Sequence, residues 1–395
     1  MTDQQKSLFY RCYYGFFING MVILLVGAIL PHLMDAAGLS YGAAGGLLSS
    51  MAVGNLCASF VYPVLTERIG RKLTVVLLAS FFPICLSAIT FLPPTPILYL
   101  CFFLMGIGRG TVSIFNNSII NDYGDGKPAS LNILHTFFAL GAFFAPFLTS
   151  GMLELSFSWI HILYAMTVLY LTSLAGYTSI PLKEKSDLNQ HQKKAGQKDT
   201  DSSYLKSFRF YCIGLVLFFY MGVENCVNGW FITYLQDIGV MTDSYAANLV
   251  SLTWIVIMIG RITCAWLSGR VPRRVLLLAN CIGSSAALFL LISSQNIILI
   301  TISMALIGFF LAGIYPTSVA ITGSLLRGTS SGMAVLMAMS ALGGIAAPQI
   351  VGWIADSAGI AGGISFLAID AVIMVGFAIL NFWHAYWNDH LNKAN

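Results

Sequence analysis

Apolar positions along the chain gather into continuous blocks of about 20 residues, parted by short polar stretches. FFINGMVILLVGAILPHL (16–33) is one such block. A helix of about 20 apolar residues crosses about 30 Å of hydrocarbon. The blocks do not alternate in–out, which excludes a transmembrane barrel. The pattern predicts twelve spans, at about 10–33, 42–64, 74–92, 97–121, 130–152, 158–180, 208–235, 245–267, 275–293, 296–322, 329–354 and 362–386. Most connections are short. The exception is LKEKSDLNQHQKKAGQKDTDSSYLK (182–206), polar and poor in apolar residues, which reads as a flexible linker. The expected organisation is an all-α polytopic membrane protein: a six-helix bundle over 1–181, the linker 182–206, and a second six-helix bundle over 207–395.

Composition agrees. The chain is 57% hydrophobic and 9% charged, where a soluble domain carries about 25% charged residues. The net charge of +4 matters less than its placement. Of the 20 Lys and Arg, 18 fall at the termini or in the connections after even-numbered spans. The connections after odd-numbered spans have none, so both termini and the linker are expected on the cytoplasmic side. The stretch MTDQQKSLFYRC lacks a small-residue cleavage site, and the first span is expected to stay as an anchor. The eight cysteines form no CxxC pair and read as packing residues, not a disulfide or metal set. GxxxxGK[ST] and HExxH are absent, so the chain is read as a non-enzyme without cofactor or metal, and with no nucleic-acid partner.

The sequence repeats itself. LTER (65–68) recurs as LSGR (267–270), and LGAFFAP (140–146) as LGGIAAP (342–348). LMG (104–106) recurs as LIG (306–308), and the block at 16–33 faces FFYMGVENCVNGWFITYL (218–235). Every pair is offset by 202 residues, as a duplication requires. Two parallel six-span halves are a transporter pattern, with solute bound near the midplane at the repeat interface.

The stretch VYPVLTERIGRK (61–72) resembles the loop motif G-x-x-x-D-R-x-G-R-[RK] of the major facilitator superfamily. Arg68, Gly70, Arg71 and Lys72 match, while Pro63 and Glu67 replace the glycine and aspartate. GRITCAWLSGRVPRR (260–274) resembles a weaker second copy. The resemblance implies gating work for Glu67, Arg68, Arg71, Lys72 and Arg270 through charge-assisted bonds that latch one state; the alternative is a basic loop that only sets topology. YMGVENCVNGWFITYL (220–235) and ASLNILHTFFALGAFFAP (129–146) are similar to segments of the fucose–galactose–glucose:proton symporter family, which implies proton-driven sugar uptake. Fucose permeases carry acids in spans 1 and 4. Gly27 and Thr111 stand there in this chain, so the fucose-type proton site does not carry over.

In that architecture spans 1, 4, 7 and 10 line the path. Glu224 lies mid-span 7, with Tyr220 and Asn228 one turn either way on the same face. The repeat maps it onto Val22. Arg109 lies mid-span 4, followed by Ser113, Asn116 and Asn117, and maps onto Leu311. Ionisable groups at membrane depth mark transport paths. Glu224 and Arg109 are therefore expected either to close as a pair that substrate or a proton breaks, or to stay apart with Glu224 carrying the proton; the alternative is a static ion pair. His135, with Asn132 one turn before it, is a second proton candidate. Asn19, Trp230, Trp254 and Tyr315 complete the expected substrate set, the aromatics as stacking faces for a sugar.

The expected function is secondary transport of a small polar solute, a sugar or sugar derivative, by alternating access with proton coupling. The expected setting is a monomer in a lipid bilayer, the bacterial inner membrane. The alternatives are a proton-driven exporter of drugs or metabolites and a non-transporting solute sensor.

Overall fold

The computed structural model describes residues 3–123, 128–180, 203–326 and 330–394, helical almost throughout. It divides into two compact units, residues 1–198 and 199–395. Most of the expected linker falls on 181–202, outside the described residues. The first unit holds α1 (Asp3–Ala37), α2 (Tyr41–Ile69), α3 (Arg71–Ala79), α4 (Phe81–Ile89), α5 (Thr95–Tyr123), α6 (Pro128–Glu154) and α7 (Trp159–Thr178). The second opens with a 3₁₀ turn (Ser203–Lys206), then α8 (Phe208–Gly229), α9 (Phe231–Asp237), α10 (Asp243–Leu267), α11 (Arg273–Ile292), α12 (Ile297–Leu326) and α13 (Ser330–Ala394). Among the described residues, eleven helical segments are long and apolar enough to cross a membrane, and the one over Gly332–Trp387 has length for two crossings.

The helix starts follow side-chain chemistry. Ser40 Oγ accepts from the Ala43 N–H at 3.2 Å, and Thr242 Oγ1 from the Tyr245 N–H at 3.2 Å. Asn296 Oδ1 accepts from the Ile298 N–H at 2.9 Å and the Leu299 N–H at 3.3 Å. Each satisfies donors that the first helical turn leaves open.

Four spans differ from the expected separate, continuous rods. The third is split at Ser80, because Pro83 has no N–H for the Ala79 carbonyl. The seventh breaks at Trp230 (φ −109°), and its continuation is α9. The eleventh and twelfth run on as one helix, in which Gly359 alone leaves helical geometry (φ 70°, ψ 167°). Glycine takes that φ without the Cβ clash other residues meet.

The two units pack alike. In the first, α1 lies along α6 and α2 along α5; in the second, α8 lies along α13 and α10 along α12. The likeness reaches single contacts. A Cβ at Gly106 would collide with the Met51 carbonyl, and one at Gly308 would lie 2.7 Å from the Thr253 carbonyl oxygen. Gly106 and Gly308, and likewise Met51 and Thr253, are 202 residues apart. Lipid supplies no hydrophobic drive between helices, so close packing must, and small residues permit it.

The tightest such contact in the second unit is Gly343 of α13, where a Cβ would run into the Phe218 carbonyl of α8. Gly343→Ala is expected to cost about 1–3 kcal/mol through overpacking. Gly151→Ala, where a Cβ meets nothing within 4 Å, is expected to be neutral or to gain up to about 1 kcal/mol from helix propensity. Thermal unfolding of the two purified variants checks the contrast.

Candidate functional site

In the second unit, α8 carries Tyr220, Glu224 and Asn228 at four-residue steps, which align on one face. Glu224 is half-buried, while Tyr220 and Asn228 are buried. The Tyr220 hydroxyl lies beside the Glu224 carboxylate and within electrostatic reach of Arg261 on α10 and Tyr315 on α12. The rings of Tyr220 and Tyr315 are 6.3 Å apart, and the Tyr315 hydroxyl donates to Met337 Sδ at 3.1 Å. Three helices thus bring a carboxylate, two phenols and a guanidinium together. The approach of Arg261 is not legible in sequence, since one helix face cannot show what another helix turns toward it.

Trp230 is fully buried, and its indole N–H donates to the Pro348 carbonyl at 3.0 Å, tying the break in span 7 to α13. Trp254 is buried at 2% exposure, whereas Tyr315 is exposed.

In the first unit, Arg109 of α5 is half-buried and within electrostatic reach of the Tyr170 hydroxyl on α7. Tyr170 stacks on Phe82, with ring centres 4.7 Å apart. The neighbouring asparagines diverge. Asn116 is fully buried and donates through Nδ2 to the Val112 carbonyl (2.9 Å) and the Tyr177 hydroxyl (2.7 Å), bracing α5 on α7. Asn117 is half-buried and donates to the Ser113 carbonyl at 2.8 Å. Asn19 on α1 is buried, and its Oδ1 has no hydrogen-bond partner. His135 on α6 is exposed, edge-on to Phe16 at 5.5 Å. The side chain of Asn132 lies outside the described residues.

Duplication sharpens the contrast. Val22 and Leu311, the repeat counterparts of Glu224 and Arg109, are core residues at 0% and 2% exposure. At each equivalent position one unit has packing and the other a partly accessible charge.

In the loop motif a buried arginine pairs with a partly exposed acid. Gly70 (φ 86°) turns the chain from α2 into α3, and Arg71 follows as the first residue of α3. Arg71 is buried at 5% exposure and bonds Asp122 Oδ2 at 2.8 Å. Asp122 is next to last in α5, just past the stretch read as span 4. A cation at a helix N-terminus and an anion at a C-terminus both oppose the helix dipole, by about 0.3–1 kcal/mol each. Pairing them relieves both. Glu67 and Arg68 are exposed and Lys72 is half-buried. In the second copy Arg273 donates to the Ala320 carbonyl at 3.1 Å, and Arg270 folds over its own Trp266 ring at 3.8 Å. An acid ending a helix that packs on span 2 is the signal that would have found Asp122.

The family model described as Major Facilitator Superfamily matches residues 12–348. The chain belongs to the Major Facilitator Superfamily. Among curated members, it is 23% identical over 383 residues to the glucose/mannose transporter GlcP of Bacillus subtilis, covering 93% of this chain and 92% of that one. It is 24% identical over 382 residues to the L-fucose-proton symporter of Escherichia coli, covering 87% and 86%. Among solved structures, that of the nucleoside transporter NupG superposes with a TM-score of 0.75 at 14% identity, covering 97% of this chain and 98% of that one. As a superfamily member the chain is an all-helical membrane transporter, and its relatives here are transporters, not enzymes.

For the superfamily loop the Arg71–Asp122 pair gives an expected outcome. Asp122→Ala removes this carboxylate from the buried Arg71, an expected loss of about 1–3 kcal/mol. Removing both side chains together, in Arg71→Leu with Asp122→Leu, is expected to restore much of it. A double-mutant cycle on thermal unfolding measures the coupling, and additive losses would show that the pair contributes nothing.

Proposed function

We propose that the chain is a secondary active transporter that moves a sugar or sugar derivative by alternating access, with proton coupling through Glu224. The observation that carries this is the half-buried Glu224 carboxylate, mid-span and beside Tyr220, where the duplicated counterpart is the core residue Val22. A carboxylate at that depth costs roughly 2.5 kcal/mol or more, an outlay that packing alone does not call for. Tyr220, Tyr315 and Asn228 offer the phenol and amide groups that bond sugar hydroxyls. Similarity to a glucose/mannose transporter and to an L-fucose-proton symporter supports the substrate class and the proton.

Arg109 is assigned to substrate. It keeps its charge at any working pH and offers five donors in a planar fork. Asn117 and Asn19 are candidates of the same unit for further substrate contacts, while Trp230 and Asn116 act in this reading as braces. The Arg71–Asp122 pair holds the loop that the superfamily uses for gating. Placement of Lys and Arg supports cytoplasmic termini in a bacterial inner membrane, and the monomer is taken as the working unit.

In liposomes, Glu224→Gln is expected to abolish accumulation driven by a pH gradient while sparing exchange of internal for external sugar. Accumulation at the wild-type rate would remove Glu224 from coupling. Arg109→Lys keeps the charge and loses the fork, and is expected to weaken substrate binding about tenfold, ~1.4 kcal/mol. Calorimetric titration checks this; wild-type affinity would return Arg109 to a packing role.

A further inference from the structure

The stretch SFLAIDAVIMVGFAIL (365–380) carries one ionisable residue, Asp370, in the second limb of α13. Its surroundings are unlike those of Glu224. Asp370 is 4% exposed, and Oδ2 is wholly buried with no hydrogen-bond partner. It lies in the seam between α8 and α13. A Cβ built on Gly222 would stand 3.3 Å from Oδ2 and 3.0 Å from Ala347 Cβ, so the missing side chain of Gly222 is what makes room for the carboxyl. The groups around it are few. From α8 the titratable neighbour is the buried thiol of Cys226. From α11, Ser285 is committed to the Ala371 carbonyl at 3.2 Å, which fixes the depth of this limb. The first limb of α13 presents Ala347. Among the described residues no cation pairs with Asp370.

An unpaired carboxylate in such a seat costs far more than a neutral carboxylic acid, which carries no net charge to desolvate. We propose that Asp370 is a proton-binding site of the second unit: the closed α8–α13 seam holds the carboxylic acid, and loss of its proton opens the seam. Gly222 and Cys226 lie about 200° around α8 from Glu224 and Asn228, at two residues' separation. Parting the seam on one face therefore shifts the helix that carries Glu224 on the other. Asp370 is a second proton site, separate from Glu224, and its occupancy sets the packing of span 7.

The sign follows from linkage. The closed seam binds one proton more than the open or unfolded chain once pH exceeds the ordinary carboxylate range. Each further pH unit then favours opening about tenfold. Purified full-length protein is unfolded thermally between about pH 5 and about pH 8, comparing wild type with Asp370→Asn, which mimics the neutral acid. The difference between their midpoints is expected to grow with pH in favour of Asp370→Asn. Infrared spectra at neutral pH are expected to show a carboxylic-acid carbonyl band that Glu224→Gln keeps and Asp370→Asn loses. Should Asp370→Asn fail to fold, wild type grown with aspartate heavy in its carboxyl carbon shifts that band without any substitution. Parallel pH curves, or a band that does not move with the aspartate label, would overturn the proposal. Neither readout requires transport, so it stands or falls apart from the role given to Glu224.

Discussion

The fold depends on how closely helix backbones can approach where lipid offers no reward for burying apolar surface. Association between spans must come from dispersion and from hydrogen bonds, both of which fall away within an ångström of separation. The chain answers with glycine at the crossing points: Gly106 of α5 against α2, Gly343 of α13 against α8, and Gly222 of α8 against Asp370. Larger groups then settle around those points. Trp230 reaches the Pro348 carbonyl, and Asn225 donates to the Gly344 carbonyl at 2.9 Å, so the seam between α8 and α13 is pinned by two side-chain bonds beside its closest contact.

Within this frame the polar groups divide by what surrounds them. Asn116 is spent on Tyr177 and Val112, and Arg71 on Asp122; these are bonds that hold helices together. Glu224 and Arg109 are half-buried at positions whose duplicates, Val22 and Leu311, are closed core. The two units spend the same scaffold differently, and the departure from symmetry is where the transport chemistry is sought.

Much of this was legible in the chain. Continuous apolar blocks suffice for the spans, because a bilayer imposes both their length and their helicity. A constant offset of 202 residues suffices for the duplication, and it reappears in the Gly106 and Gly308 contacts. What hydropathy does not encode is rotation about each helix axis. Asn116 and Asn117 are adjacent and equally polar, yet one turns to α7 and the other back on its own helix. The partner of Arg71 is hidden in sequence for the same reason: Asp122 is 51 residues away, and only packing of α5 beside α2 and α3 brings it near. The breaks at Ser80 and Trp230 are invisible to hydropathy, since a kinked span is as apolar as a straight one.

One pair of contacts bears on how the halves have diverged. In the first unit a Cβ at Gly110 would lie 2.8 Å from Ala58 Cβ; in the second a Cβ at Gly260 would lie 2.8 Å from Ala312 Cβ. The positions correspond, 58 with 260 and 110 with 312, but the glycine has changed sides. What descent has kept is a distance shared by two helices, not a residue at either place. Such an exchange passes through an ancestor with glycine at both positions, which loses a methyl contact, far more readily than through one with alanine at both, which collides. These contacts thus favour one route for drift: duplicated helices trade their small residues most readily by way of looser packing.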